Sequence, residues 1–117
     1  MHELAITQSV VDAVTERTGD ARVASVRVRV GRLAGVVPDA MRFCFELVTA
    51  GTPLDGAALE FDQPEGRGHC RTCGARFVLA DLILLCPCGS ADVEVVGGRE
   101  LAVVSVVLAV PARMTDP

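Results

Sequence analysis

Tryptophan, tyrosine and lysine are absent from this 117-residue chain, and only four Phe and two His occur in it. A core without large rings must be built from Val, Leu, Ile and Ala. Half of the residues are apolar and the mean hydropathy is +0.42, so there is enough to bury. The eleven cations are all Arg, the net charge is −4, and no basic stripe exists, which argues against a nucleic-acid partner. No apolar run reaches the roughly 18–20 residues that a bilayer requires. The chain begins Met-His-Glu-Leu, without a basic leader or cleavage signal. The expectation is a cytoplasmic protein with no membrane partner. Thiols stay reduced there, so clustered cysteines favour metal over disulfides. No Ser/His/Asp set, phosphate loop or helical His-Glu-x-x-His is present, and we read the chain as a non-enzyme.

Leu4 to Arg17 has the spacing of an amphipathic helix, with Leu4, Val11 and Val14 on one side and Ile6, Val10 and Ala13 close by. Gly19 is its stop. Val23 to Val30 alternates Val26, Val28 and Val30 with Ser25, Arg27 and Arg29, as a half-buried strand does. Arg27 and Arg29 are candidate docking charges, although a solvated strand face is the plainer reading. After a loop, Pro38 suits the first turn of a second helix, with Asp39 well placed and Met41, Phe45 and Val48 on one face. Cys44 reads as a small buried hydrophobe there. Gly51 ends the helix, and a second strand spans about Ala58 to Gln63.

Composition shifts at Pro64 to a stretch rich in Gly and Cys. Arg99 to Val110 then reads as a returning strand, apolar on both faces and therefore covered on both sides, either central or at an interface. The expected fold is α+β. Two helices lie on a three-stranded sheet formed by residues 1–64 plus 93–117, with a small zinc-ribbon-like lobe, 65–92, inserted before the last strand.

That insert is poor in apolar residues, and its cysteines explain how it holds together. The pattern is Cys70-x2-Cys73-x12-Cys86-x-Cys88, with Gly74 and Gly89 directly after the pairs. Zinc takes four soft ligands at tetrahedral corners, two closely spaced cysteines supply two of them, and metal binding adds folding energy that a small core lacks. Twelve intervening residues are enough for a hairpin between the pairs. Only Pro87 separates Cys86 from Cys88, one residue fewer than usual, so His69 is an alternative fourth ligand. Thiol redox chemistry and an iron–sulfur cluster are the competing readings. A closed four-ligand site leaves no open position and is structural.

His2 is the second notable residue. A free α-amine beside a histidine chelates through amine, backbone amide and imidazole, a nitrogen-rich, roughly planar set that suits Ni(II) or Cu(II). A solvated side chain is the ordinary alternative. The stretches Met1-His2-Glu3-Leu4, Gly31-Arg32-Leu33-Ala34-Gly35-Val36-Val37-Pro38, Phe43-Cys44-Phe45-Glu46 and Thr52-Pro53-Leu54, with the paired cysteines and Gly98-Arg99-Glu100-Leu101, together resemble the HypA/HybF family. These are nickel-insertion accessory proteins of NiFe-hydrogenase maturation.

The resemblance implies that residues 1–64 plus 93–117 form a nickel-binding lobe. His2, the Met1 amine and nearby backbone nitrogens would hold Ni(II) as cargo, with Glu3 beside or within the site. Cys70, Cys73, Cys86 and Cys88 would hold structural Zn(II). It further implies a HypB-type GTPase and a hydrogenase large-subunit precursor as partners, or urease maturation in some members, and a monomer or weak homodimer. The family commonly has Cys-Pro-x-Cys-Gly-Ser where this chain reads Cys86-Pro87-Cys88-Gly89-Ser90. A zinc-ribbon adaptor without nickel cargo explains the cysteines equally well but not the first three residues.

Overall fold

A computed structural model describes residues 3–109. Two helices and six strands follow one another as α1 (Glu3–Thr18), β1 (Val23–Val30), α2 (Pro38–Thr49), β2 (Ala58–Asp62), β3 (Gly66–Cys70), β4 (Arg76–Leu79), β5 (Val93–Gly97) and β6 (Leu101–Leu108). The strands form two three-stranded sheets, ordered β2-β1-β6 and β4-β3-β5. The architecture is α+β, with the second sheet inserted between β2 and β6. Two compact units result. One comprises residues 3–28, 37–61 and 103–109, and the other 29–36 and 62–102.

In the first unit, α1 and α2 pack on each other. Val10, Val11, Val14, Met41 and Phe45 are buried, as are Val23, Val26, Val28 and Leu59 on the strands. This is the aliphatic core that the composition requires. Buried Thr7 and Thr49 satisfy their hydroxyls on the carbonyls one turn back, Glu3 O at 2.6 Å and Phe45 O at 2.7 Å. Leu4 departs from expectation and is exposed, because the buried stripe of α1 runs through Thr7 instead. Cys44 is half-buried.

Two other sequence expectations change. β6 is an edge strand of its sheet and not a central one, and Leu101, Val104, Val107 and Leu108 are exposed. Residues 93–97, taken with the larger lobe, belong to the small sheet: β5 pairs antiparallel with β3, His69 facing Glu94 and Cys70 facing Val93. The hairpin of the insert is β3–β4, whose connecting turn carries Cys70 and Cys73, so only its second strand lies between the two pairs. Leu33, Cys70, Leu79, Cys86 and Val93 are buried together in the second unit, with Phe77, Leu84 and Val95 against them. Residues 29–36 join this unit because Gly31 N–H bonds to Glu100 O and Leu33 N–H to Gly98 O. A Cβ on Gly31 would sit 2.1 Å from Gly98 O, so only glycine permits this approach.

Candidate metal centre

Each cysteine pair rides a tight turn. In the first, β3 ends at Cys70, Gly74 N–H returns to Cys70 O at 2.9 Å, and Gly74 takes φ +80°. In the second, Gly89 N–H returns to Cys86 O at 2.8 Å, and Gly89 takes φ +96°. Neither glycine is crowded, so their role is conformational: the left-handed region is costly for other residues. The turns are tied together. Thr72 Oγ1 and Ser90 Oγ lie 2.8 Å apart, Cys86 N–H bonds to Ser90 O at 2.9 Å, and Arg71 bonds Asp92 through its backbone N–H (3.0 Å) and its guanidinium (2.9 Å). Sequence reading did not single out these braces, although polar residues flanking both pairs are their visible trace.

The four sulfurs converge within 4.8 Å of one another. Cys70 Sγ is 3.8 Å from Cys88 Sγ, and Cys73 Sγ is 3.6 Å from Cys86 Sγ. A tetrahedron with Zn–S near 2.3 Å has an S···S edge of about 3.8 Å. These separations therefore fit a four-thiolate site for a tetrahedral ion. No disulfide is present among the described residues. Cys88 takes its place in the cluster despite the short spacing. His69 does not; its Nδ1 lies 3.8 Å from Glu94 Oε1.

The electrostatics prepare the site unevenly. The Cys73 N–H, donating to Cys70 Sγ at 3.4 Å, is the strongest influence on that thiol, and against the opposing effect of burial its pKa falls to about 6. At Cys86 the Cys88 N–H lowers the pKa, but burial and the neighbouring cysteine side chains outweigh it and push it up to about 12. The metal-free cluster thus holds a thiolate at Cys70 and a thiol at Cys86 at neutral pH. A divalent cation would displace the proton from Cys86.

The proposed nickel residues are placed differently. Met1 and His2 lie outside the described residues. Glu3 begins α1, and its Oε2 accepts the N–H of Val37 at 3.2 Å. Val37 precedes α2 and has no side chain able to cap it, so the carboxylate serves the positive N-terminal end of that helix. Arg27 pairs with Glu60 at 3.2 Å and Arg29 with Asp62 at 2.8 Å, both pairs half-exposed, as on the solvated strand face considered from sequence. No helix among the described residues is long and apolar enough to cross a membrane.

Residues 1–108 match the family model described as HypA, hydrogenase/urease nickel incorporation, metallochaperone. The hydrogenase maturation factor HypA of Geotalea uraniireducens (strain Rf4) is 48% identical over 104 residues, covering 88% of this chain and 94% of that protein. HypA of Nostoc punctiforme is 43% identical over 103 residues, covering 88% and 91%. The solution structure of the Ni metallochaperone HypA from Helicobacter pylori superposes with a TM-score of 0.63 at 19% identity, covering 92% of this chain and 97% of that one, a likeness of fold.

Proposed function

Since this chain belongs to the HypA family of nickel-incorporation metallochaperones, maturation factors rather than enzymes, we propose that it carries Ni(II) on Met1-His2-Glu3 and delivers it to a hydrogenase precursor. The observation that carries this reading is a family match spanning both the first residues and the cysteine lobe. The two sets of donors divide the work by chemistry. Four thiolates in a closed tetrahedron hold Zn(II) and rigidify the small sheet. The same thiolates would bind a cargo ion too tightly to release it, and would accept copper as readily as nickel. A terminal amine, backbone amides and the His2 imidazole form a shallow nitrogen set that a competing site can take over ligand by ligand. The bond from Val37 to Glu3 supports this assignment, because it anchors the third residue while the first two supply nitrogen. We assign the receiving partners to a HypB-type GTPase and the hydrogenase large-subunit precursor, with urease maturation as a further destination, and the compartment to the cytoplasm.

Equilibrium dialysis against Ni(II), using untagged protein with a free Met1 amine, tests the site. Wild type should bind one nickel per chain that His2→Ala does not bind, with zinc content equal in both. Unchanged nickel stoichiometry in His2→Ala would sink the assignment and leave the zinc-ribbon adaptor as the better account.

A further inference from the structure

We propose that the cysteine cluster is also a peroxide-responsive site: oxidation joins sulfurs across the two turns, Cys73 to Cys86 and Cys70 to Cys88, releases the metal and leaves the lobe covalently stapled. The proposal rests on the reading of this cluster as a zinc site and is independent of the nickel assignment. Exposure alternates along the cluster. Cys70 and Cys86 are buried, whereas Cys73 and Cys88 are exposed. Across the turns, each exposed sulfur faces a buried one: Cys73 lies 3.6 Å from Cys86, and Cys88 lies 3.8 Å from Cys70. A coordinated thiol is held deprotonated, and exposure decides which thiolates meet an oxidant. The exposed member of each pair is therefore the one attacked. Its buried partner is in place to resolve it before oxidation proceeds to the irreversible sulfinic acid.

The chemistry balances with a peroxide as oxidant. Cys73 Sγ attacks a peroxide oxygen, the O–O bond breaks, and a sulfenic acid and a hydroxide form. Cys86 Sγ then attacks Cys73 Sγ, the S–S bond forms, the S–O bond breaks, and a second hydroxide leaves. Two thiolates lose two electrons, one peroxide gains them, and two protons from solvent turn both hydroxides into water. Cys88 and Cys70 consume a second peroxide in the same way. Each bridge removes two of the four charged donors, so the metal leaves as the dication. A disulfide has its sulfurs about 2.05 Å apart, so the pairs must close by about 1.6–1.8 Å, within the reach of side-chain rotation. The backbone is held meanwhile by ties that need no metal: Thr72 with Ser90, Cys86 N–H with Ser90 O, and Arg71 with Asp92. A bridge within the second turn is the poor alternative, because it would close Cys86 on Cys88 across Pro87, whose fixed φ resists tightening. Cys73 and Cys86 are 13 positions apart, and closing a loop of that order favours the folded lobe by roughly a hundredfold.

Titrating the zinc-loaded full chain with hydrogen peroxide tests this, with a chromophoric dye reading free zinc and non-reducing peptide mass spectrometry locating the bridges. Zinc content before peroxide checks the metal reading by itself. About two peroxides per chain should then release the zinc and form Cys73–Cys86 and Cys70–Cys88, and dithiothreitol with added zinc should restore the site. In hydrogen exchange, the β3 amides of the oxidised, zinc-free chain should be protected at least tenfold better than those of the reduced chain stripped by a chelator. Cys44→Ser, which removes the one cysteine outside the cluster, should behave like wild type. Zinc retained under peroxide, bridges confined within either turn, sulfinic acids in place of bridges, bridges to Cys44 or between chains, or an oxidised chain no better protected than the stripped one would each overturn the proposal. Wrong bridges in a zinc-loaded chain sink the proposal alone, whereas a chain that holds no zinc at the start sinks the metal reading with it.

Discussion

Replacing Cys88 with Ala removes one corner of the sulfur tetrahedron and decides whether this cysteine or His69 completes the site. In the structure Cys88 Sγ stands 3.8 Å from Cys70 Sγ, the edge length expected for zinc, while the His69 Nδ1 is directed towards Glu94. A four-ligand structural zinc site provides on the order of 10–16 kcal/mol, so one ligand of four accounts for about 2.5–4 kcal/mol, or roughly 10²- to 10³-fold in affinity. The small sheet depends on that energy, because its buried apolar side chains are few: Leu33, Leu79 and Val93 with the two inner cysteines. At a buffered zinc level well above the wild-type dissociation constant, a hundredfold weaker site lowers stability by about 2.7 kcal/mol. Competition with a chromophoric chelator measures the affinity, and a melt in the same zinc buffer measures the stability. Cys88→Ala should lose both and His69→Ala neither. Wild-type affinity in Cys88→Ala together with loss in His69→Ala would refute the reasoning from sulfur geometry.

Zinc binding should weaken as pH falls, because the metal competes with protons. Cys86, at about 12, gives up a proton at any neutral pH, whereas Cys70, at about 6, gives one up only below that value. The slope of log affinity against pH should therefore steepen by about one below pH 6, measurable by chelator competition between pH 5 and 8. In the metal-free chain the lowered Cys70 pKa stabilises the fold above the ordinary thiol value of 9.0, and that contribution fades as pH falls from there towards 6. The raised Cys86 pKa acts oppositely: its contribution is present below 9.0 and fades as pH rises from there towards 12. Gly31→Ala should destabilise the chain by about 2–4 kcal/mol, since its Cβ would fall 2.1 Å from a backbone oxygen. Gly97→Ala, whose Cβ would meet Arg67 at an ordinary 3.6 Å, should stay within about 1 kcal/mol of wild type in the same denaturant titration.

Helix α2 and strand β1 were legible because their apolar spacing is strongly periodic, and α1, with a weaker stripe, through Val10, Val11 and Val14; their stops are glycines or a Thr-Pro pair. β3 was not: Gly-Arg-Gly-His-Cys has no β-branched residue, and pairing to β4 and β5 holds it extended. β5, Val-Glu-Val-Val-Gly, carries nothing that says which sheet it joins. β6 shows the same limit in another way. A strand apolar on both faces reads as covered, yet β6 lies at a sheet edge with Leu101, Val104, Val107 and Leu108 exposed. The metal cluster was legible in its four sulfurs, while Arg71, Thr72, Ser90 and Asp92, which join the turns, carry no spacing rule. Arg27 and Arg29 looked available because their partners, Glu60 and Asp62, lie 33 residues away.

The two cysteine turns differ in length yet deliver the same geometry. Cys70 and Cys73 are separated by two residues and Cys86 and Cys88 by one, but each pair is closed by a glycine with positive φ and by an N–H donated back to a sulfur. The two turns share the left-handed glycine and the N–H turned back on a sulfur, and they do not share the number of residues between the thiols. A pattern search demanding two Cys-x-x-Cys pairs would pass over this chain. One written around a cysteine separated by one or two residues from a Cys-Gly step would find both halves of its metal site.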